Sequence, residues 1–341
     1  MASKILVTGG TGYIGSHTVV ELQQAGYEVI IVDDLSNSDM KILDQITMIT
    51  GKRPEFFNLD LSNEAMVMAF VQSQPDISVV IHFAAYKAVG ESVQYPLKYY
   101  RNNVFSLINL LNAFSEKEIQ FIFSSSCTVY GQPDVLPVTE ETAFKRAESP
   151  YGNTKQIAEE ILQETAMVNS NYHITSLRYF NPVGAHKSAL IGELPIGVPQ
   201  NLVPFITQSA IGKRSSLTVY GDDYNTPDGS CIRDYIHVVD LAKAHVAAIK
   251  EGGEETGNNY EVYNLGTGRG SSVLEVIYAF EKSTGVKLNY KIGPRRTGDV
   301  EQVWGDVSKS ENQLKWKTEL SLEDMMSSAW AWEQYINKNP F

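Results

Sequence analysis

Apolar positions in the first half of the chain fall into short β-branched runs, separated by longer stretches in which apolar residues recur at helical spacing. The runs at 4–8, 28–33, 54–58, 78–83, 120–124 and 173–179 read as strands, and 16–25 and 65–73 as helices between them. Such alternation predicts an α/β fold with a doubly wound parallel sheet covered by helices. Around Asn181 the texture changes, because Pro182, Gly184, Gly192, Pro195, Gly197 and Pro199 crowd together, which marks a domain boundary. The expected division is 1–180, rejoined by part of 233–265, and a smaller C-terminal α/β substrate domain over 181–341. In the second half, 221–229 reads as an ordered surface loop, and the last helix should start at Ser321, with Asp324 three residues on completing its cap.

Composition narrows the class without changing that picture. Hydrophobic residues make up 43% and charged residues 20%, the balance of a soluble globular chain with a large core. The net charge of −12 and the lack of a basic run argue against a nucleic-acid partner. Apolar runs such as 77–85 reach about half the ~20 residues needed to span a bilayer, and the first residues carry no apolar signal region, so no membrane association is expected. Two cysteines, Cys127 and Cys231, and no Asn-x-Ser/Thr acceptor fit a reducing cytoplasm better than a disulfide-built secreted protein. The six histidines show no metal-ligand spacing, so no metal is expected.

The first candidate chemistry is Lys4-Ile-Leu-Val-Thr-Gly-Gly-Thr-Gly-Tyr-Ile-Gly15, which sets Gly9, Gly12 and Gly15 three apart between a strand and a helix. Glycine lets the turn bend sharply and lets backbone NH groups approach a pyrophosphate, which then sits at the positive end of the helix. The second strand ends in Asp33, eighteen residues after Gly15, where an acid can grip the adenosine ribose hydroxyls. Asp34 follows and no Arg stands nearby for a 2′-phosphate, so NAD is favoured over NADP. Together these features predict a Rossmann-type sheet; the competing reading is a tight turn and a loop cap.

The second is Ser149-Pro150-Tyr151-Gly-Asn-Thr-Lys155, which opens a helix with a capping Ser and Pro at its first position. Tyr151 and Lys155 then share one helix face. A phenol is a poor base at neutral pH, but a nearby ammonium, aided by the positive nicotinamide, favours phenolate. Upstream, the strand ending in Ser124-Ser-Ser-Cys-Thr128 offers hydroxyls to the same reacting oxygen, Ser126 first and Thr128 second.

With these motifs the chain resembles the extended short-chain dehydrogenase/reductases, and within them the members that epimerise nucleotide hexoses. The resemblance is carried by Thr8-Gly-Gly-Thr-Gly-Tyr-Ile-Gly-Ser-His17, Lys87-Ala-Val-Gly-Glu-Ser-Val93, Phe123-Ser-Ser-Ser-Cys-Thr-Val-Tyr-Gly131, Ser149-Pro-Tyr-Gly152, Leu177-Arg-Tyr-Phe-Asn-Pro-Val-Gly-Ala-His186 and Arg233-Asp-Tyr-Ile-His237. It implies a tightly held NAD and the reversible interconversion of UDP-glucose and UDP-galactose through a 4-keto sugar. It also implies NAD contacts at Tyr13, Ile14, Asp33, Asn37, Ser38, Asp60, Leu61, Phe83, Ala84, Lys87, Asn102, Tyr151, Lys155 and Phe180. Tyr151 would be the base, Lys155 its electrostatic tuner, and Ser126 the hydrogen-bonding assistant. Asn181, Asn201, Leu202, Tyr220, Arg233, Arg296 and Asp299 fall on the family's nucleotide and diphosphate positions. Arginine suits that role through its planar fork, although Arg233 and Arg296 taken alone read equally as surface residues.

Dehydrating relatives carry Thr-Asp-Glu where Ser126-Cys127-Thr128 stands here, which argues against dehydratase chemistry. Val303 falls on the residue near the sugar's 2-position, so N-acetylated UDP-hexoses form the alternative substrate class. A rival of another kind is an NAD-binding regulator without catalysis, since fold alone does not prove chemistry. The resemblance further implies a homodimer paired through the helix at about 97–115 and the helix bearing Tyr151. The apolar Leu107, Leu110, Leu111 and Phe114 could serve either that contact or the domain's own core.

Overall fold

The computed structural model describes residues 4–251, 259–296 and 300–341. Its larger sheet has seven parallel strands, in spatial order Tyr260–Leu265, Tyr172–Tyr179, Ile119–Ser126, Ile77–His82, Lys4–Thr8, Glu28–Asp33 and Glu55–Asn58. Along each strand successive side chains enter opposite layers, Ile5 and Val7 one, Leu6 the other. Helices Tyr13–Gln24, Lys41–Thr50 and Val238–Glu251 cover the first face, and Glu64–Ser73, Pro96–Phe114 and Pro150–Val168 the second. Burial on both faces is why the strands read as unbroken apolar runs.

Chain order reverses between Lys4–Thr8 and Ile77–His82, and a crevice at such a point is where sheets of this kind take ligands. There Thr8 Oγ1 and His82 Nδ1 are 2.8 Å apart, so buried His82 is a packing residue that pins two strand ends together. The strand Ile119–Ser126 runs two residues beyond the predicted 120–124, because Ser125 and Ser126 pair with Arg178 and Tyr179. The first helix begins at Tyr13, three residues before the predicted start, since the glycine loop runs directly into it.

A second unit holds a four-stranded sheet of Asn181–Val183, Ile232–His237, Gly270–Ser272 and Gln302–Val303, with the parallel pair Leu217–Tyr220 and Tyr290–Gly293 beside it. Its core joins Val203, Ile206, Ile277, Phe280, Met325 and Met326. Of the segment 233–265, the strand Ile232–His237 sits in this smaller sheet, whereas Val238–Glu251 and Tyr260–Leu265 pack with the larger one. The last helix, Leu322–Lys338, starts with the reciprocal cap of Ser321 and Asp324. Leu107, Leu110, Leu111 and Phe114 are all buried in the domain's own core, which excludes them from any subunit contact.

Candidate active site

One cavity of about 700 Å³ runs from the glycine loop to Arg233 and Arg296. At its first end Gly9 has φ +69°, and a Cβ added at Gly15 would lie 2.1 Å from the Gly9 carbonyl oxygen, so only glycine lets the loop fold back onto the helix. Gly12 caps that helix with no side chain, and no acid stands in its first turn, which leaves the positive helix end facing an anion site. Asp33 anchors the loop by accepting from Thr11 N at 3.2 Å, Leu35 N at 3.0 Å and Ser38 Oγ at 3.1 Å. Ser38 also pairs with Thr11 Oγ1 at 2.7 Å. Tyr13, Ile14, Asn37, Asp60, Leu61, Phe83, Ala84, Lys87 and Asn102 complete this part of the wall.

The middle of the cavity is built where the helix Pro150–Val168 meets the strand end at Ser126. Ser149 caps the helix by accepting from Gly152 N at 3.1 Å, with Pro150 at its first position. This start places Tyr151 and Lys155 on the wall with Ser124, Ser126 and Thr128. Lys155 Nζ donates to the Ser124 carbonyl at 2.5 Å and sits 4.6 Å from the Phe123 ring centroid. Burial pushes the Tyr151 phenol up to about 12, with its Ser126 hydrogen bond pulling the other way. Burial likewise pushes the Lys155 ammonium down to about 7, with Glu159 opposing. Desolvation thus outweighs the tuning of phenol by ammonium that the spacing alone suggests. The Thr128 hydroxyl is buried and has no partner among the described residues.

At the far end Asn201 opens the helix Leu202–Ala210, and Asn181, Leu202, Tyr220, Arg233 and Arg296 share the wall with Phe180. Arg233 donates to the carbonyls of Ile232 and Glu301, at 2.8 and 3.4 Å, and pairs with no carboxylate among the described residues. The Arg296 guanidinium lies 5.9 Å from the Tyr220 ring. Val303 is the exception among the expected contacts. It is buried behind the wall, packed with Phe180, Val129 and Tyr130, because its strand pairs with Ile232–His237 instead of lining the cavity. Asp299 lies outside the described residues.

The structure also adds Glu193, which no motif announces, and a bond between two of the motifs. Glu193 accepts from Lys87 Nζ at 3.1 Å and from Asn201 Nδ2 at 2.8 Å, so one carboxylate spans both ends of the cavity. The Tyr13 hydroxyl donates to the Gly184 carbonyl at 2.6 Å, tying the glycine loop to the second unit. No group of acids, histidines and cysteines among the described residues could hold a metal.

A doubly wound sheet with a glycine loop at its switch point, and a Tyr-Lys pair capped onto the next part of the same cavity, define a short-chain dehydrogenase/reductase architecture. The family model described as GDP-mannose 4,6 dehydratase matches residues 6–329. The UDP-glucose 4-epimerase of Haemophilus influenzae is 47% identical over 331 residues, covering 97% of each chain. That of Drosophila melanogaster is 47% identical over 346 residues, covering 98% of this chain and 99% of its own. The crystal structure of UDP-glucose 4-epimerase from Bifidobacterium longum in complex with NAD+ and UDP superposes with a TM-score of 0.94, at 47% identity, over 99% of this chain and 100% of that one. The chain therefore belongs to the extended short-chain dehydrogenase/reductases, and within them to the UDP-glucose 4-epimerase family.

Proposed function

We propose that this chain catalyses the reversible epimerisation of UDP-glucose and UDP-galactose at C4, with NAD as cofactor and a 4-keto sugar as intermediate, in galactose metabolism. The observation that carries the reading is the position of Tyr151, Ser126 and Lys155. They stand midway along a single cavity, between a cradle for a dinucleotide and two arginines for a diphosphate. The cradle fits NAD. Gly15 leaves no room for a Cβ, Asp33 faces the same cavity, and Lys87 brings a cation to the wall. When bound, NAD accepts a hydride from the sugar and returns it, and brings positive charge beside the phenol.

The chain's own residues do the rest. Tyr151 takes the C4 hydroxyl proton as the carbonyl forms and gives it back to the same oxygen once the hydride is returned to the opposite face of C4, so the protein ends each cycle as it began. Ser126, already bonded to the phenol, stabilises the phenolate and the sugar oxygen. Thr128 has an unpartnered hydroxyl to offer the same oxygen. Arg233 and Arg296 pair with the diphosphate as planar forks and hold it while the 4-keto sugar turns about its link.

The test is to incubate purified protein with UDP-galactose, without added NAD, and assay UDP-glucose, with Tyr151→Phe in parallel. Product from the wild type and a loss of roughly 10²–10⁴-fold in the variant are expected. No product from the wild type, even after NAD is supplied, overturns the reading.

The same reading includes a cytoplasmic homodimer. Both cysteines are free, as a reducing compartment keeps them. Leu97 and Phe105 stand exposed on the helix Pro96–Phe114, with Val104 and Ile108 partly exposed between and beyond them. An uncovered apolar stripe of this kind suits a second copy of the same helix pair. No helix among the described residues is long and apolar enough to cross a membrane.

A further inference from the structure

Behind the Tyr-Lys pair lies a buried acid that the mechanism above does not use. Glu159 is 3% exposed and follows Tyr151 and Lys155 at intervals of four on one helix face. Its carboxylate accepts from Arg178 Nε at 3.0 Å and Arg178 Nη2 at 2.6 Å, from the Ser125 hydroxyl, and from Tyr260 Oη at 3.5 Å. Arg178 is itself buried, and in the sheet it is the register partner of Ser125.

Two consecutive strand residues are thus fastened to the same helix. Ser124 accepts from Lys155 and Ser125 donates to Glu159, while Ser126 shares the cavity wall with Tyr151. The charged groups around Lys155 are few. Tyr151 and Glu159 come from its own helix, and His82 from the strand Ile77–His82. The strand Ile119–Ser126 presents only the Phe123 ring and the Ser124 carbonyl to it.

We propose that Glu159 is a positioning residue: locked by Arg178 and bonded to Ser125, it fixes the Tyr151-Lys155 face against the Ser124–Ser126 strand end. This rests on the epimerase reading. Burial and the Lys155 charge hold His82 down to about 3, so it is neutral at working pH. A helix brace alone would need neither charge nor the contact to Ser125, since buried ion pairs are replaceable by apolar residues of similar size.

Two variants test the assignment, Glu159→Gln and the double variant Glu159→Gln with Arg178→Met, which leaves no unpaired charge behind. Wild type and both variants are compared for UDP-galactose turnover across pH, melting temperature, and NAD content after denaturation. The double variant is expected to fold and to keep its cofactor. Its kcat should fall about tenfold or more with KM within about threefold, because the reacting groups shift while the diphosphate site does not. Removing the anion lets Lys155 lose its proton at lower pH, so the alkaline limb of kcat moves acid-ward in both variants, further in Glu159→Gln. A double variant with wild-type kcat and an unmoved limb overturns the proposal, as does one that fails to fold, which would make the pair a structural brace. A wild type that turns over no UDP-galactose overturns the epimerase reading itself.

Discussion

At Gly15 the only space for a methyl group is already filled by the Gly9 carbonyl oxygen, 2.1 Å away, whereas at Gly12 the same oxygen lies 3.1 Å off. Gly15→Ala must therefore force the loop away from the helix start, while Gly12→Ala asks for a shift of a few tenths of an ångström. The expected result is loss of retained NAD and of nearly all turnover in the first variant, with partial retention of both in the second. NAD content after denaturation and the rate with UDP-galactose check it, and equal effects would show that close approach at Gly15 is not what shapes the cradle. Ser126→Ala removes the hydroxyl that pulls the phenol down, so less Tyr151 phenolate is available to take the proton. A loss of roughly 10²-fold in kcat at unchanged KM is expected, against a smaller loss for Thr128→Val, which removes a hydroxyl with no hydrogen-bond partner among the described residues. Residues such as Gly15, Tyr151 and Lys155 could be read from the sequence because spacing itself carries their chemistry. Glu159 and Glu193 could not, since a single acid on a helix or in a Pro- and Gly-rich stretch looks like any solvated charge until its partners, far away in sequence, are folded against it. Val303 illustrates another limit: a motif gives the residue's order along the chain, but not that its two-residue strand buries it in a cluster with Val129, Tyr130 and Phe180.

Elements follow the same division. Six of the seven strands of the larger sheet are legible as short apolar runs whose limits shift by only a residue or two between pattern and structure, whereas Tyr260–Leu265, interrupted by Glu261 and Asn264, shows no such run. The strands Asn181–Val183, Gly270–Ser272 and Gln302–Val303 are two or three residues long, too short to show any period, and only pairing with Ile232–His237 makes them strands. In the helix Pro96–Phe114 the pattern establishes amphipathy but leaves open which face meets whom. Its strongest apolar stripe, from Leu107 to Phe114, fills the core, and the stripe left outside is Leu97, Val104, Phe105 and Ile108. If that outer stripe pairs two copies, Phe105→Glu should move the mass in light scattering from twice 37.9 kDa to 37.9 kDa. The core beneath it does not include Phe105, so the melting temperature of the separated subunit should fall only modestly. A wild type that is already monomeric at micromolar concentration would rule the pairing out.

Across the whole molecule, several buried polar contacts involve histidines that burial keeps neutral. Burial lowers His17 and His82 to about 3 and His237 and His245 to about 4. In the unfolded chain each would take its proton near the ordinary value of about 6.5, so below that pH the unfolded state binds more protons than the folded one. Stability contributed by these four groups is fully present above pH 6.5 and is lost as pH falls toward 3–4. Asp234 works in the other direction, since burial raises its carboxyl to about 6 and the folded state gains from protonating it first. One pKa unit is worth about 1.4 kcal/mol, and four histidines displaced by about 2.5 to 3.5 units outweigh one carboxyl displaced by about two. A further opposing effect is the approach to the isoelectric point near 5.0, where self-repulsion of the acidic surface fades and would raise stability. The melting temperature should nevertheless drop on the order of 10 °C between pH 7.5 and 5.5 at fixed salt. His245→Gln should flatten part of that slope, because Gln has no proton to take on unfolding, whereas a melting temperature that stays level or rises as the pH falls would mean that these histidines are already protonated in the fold.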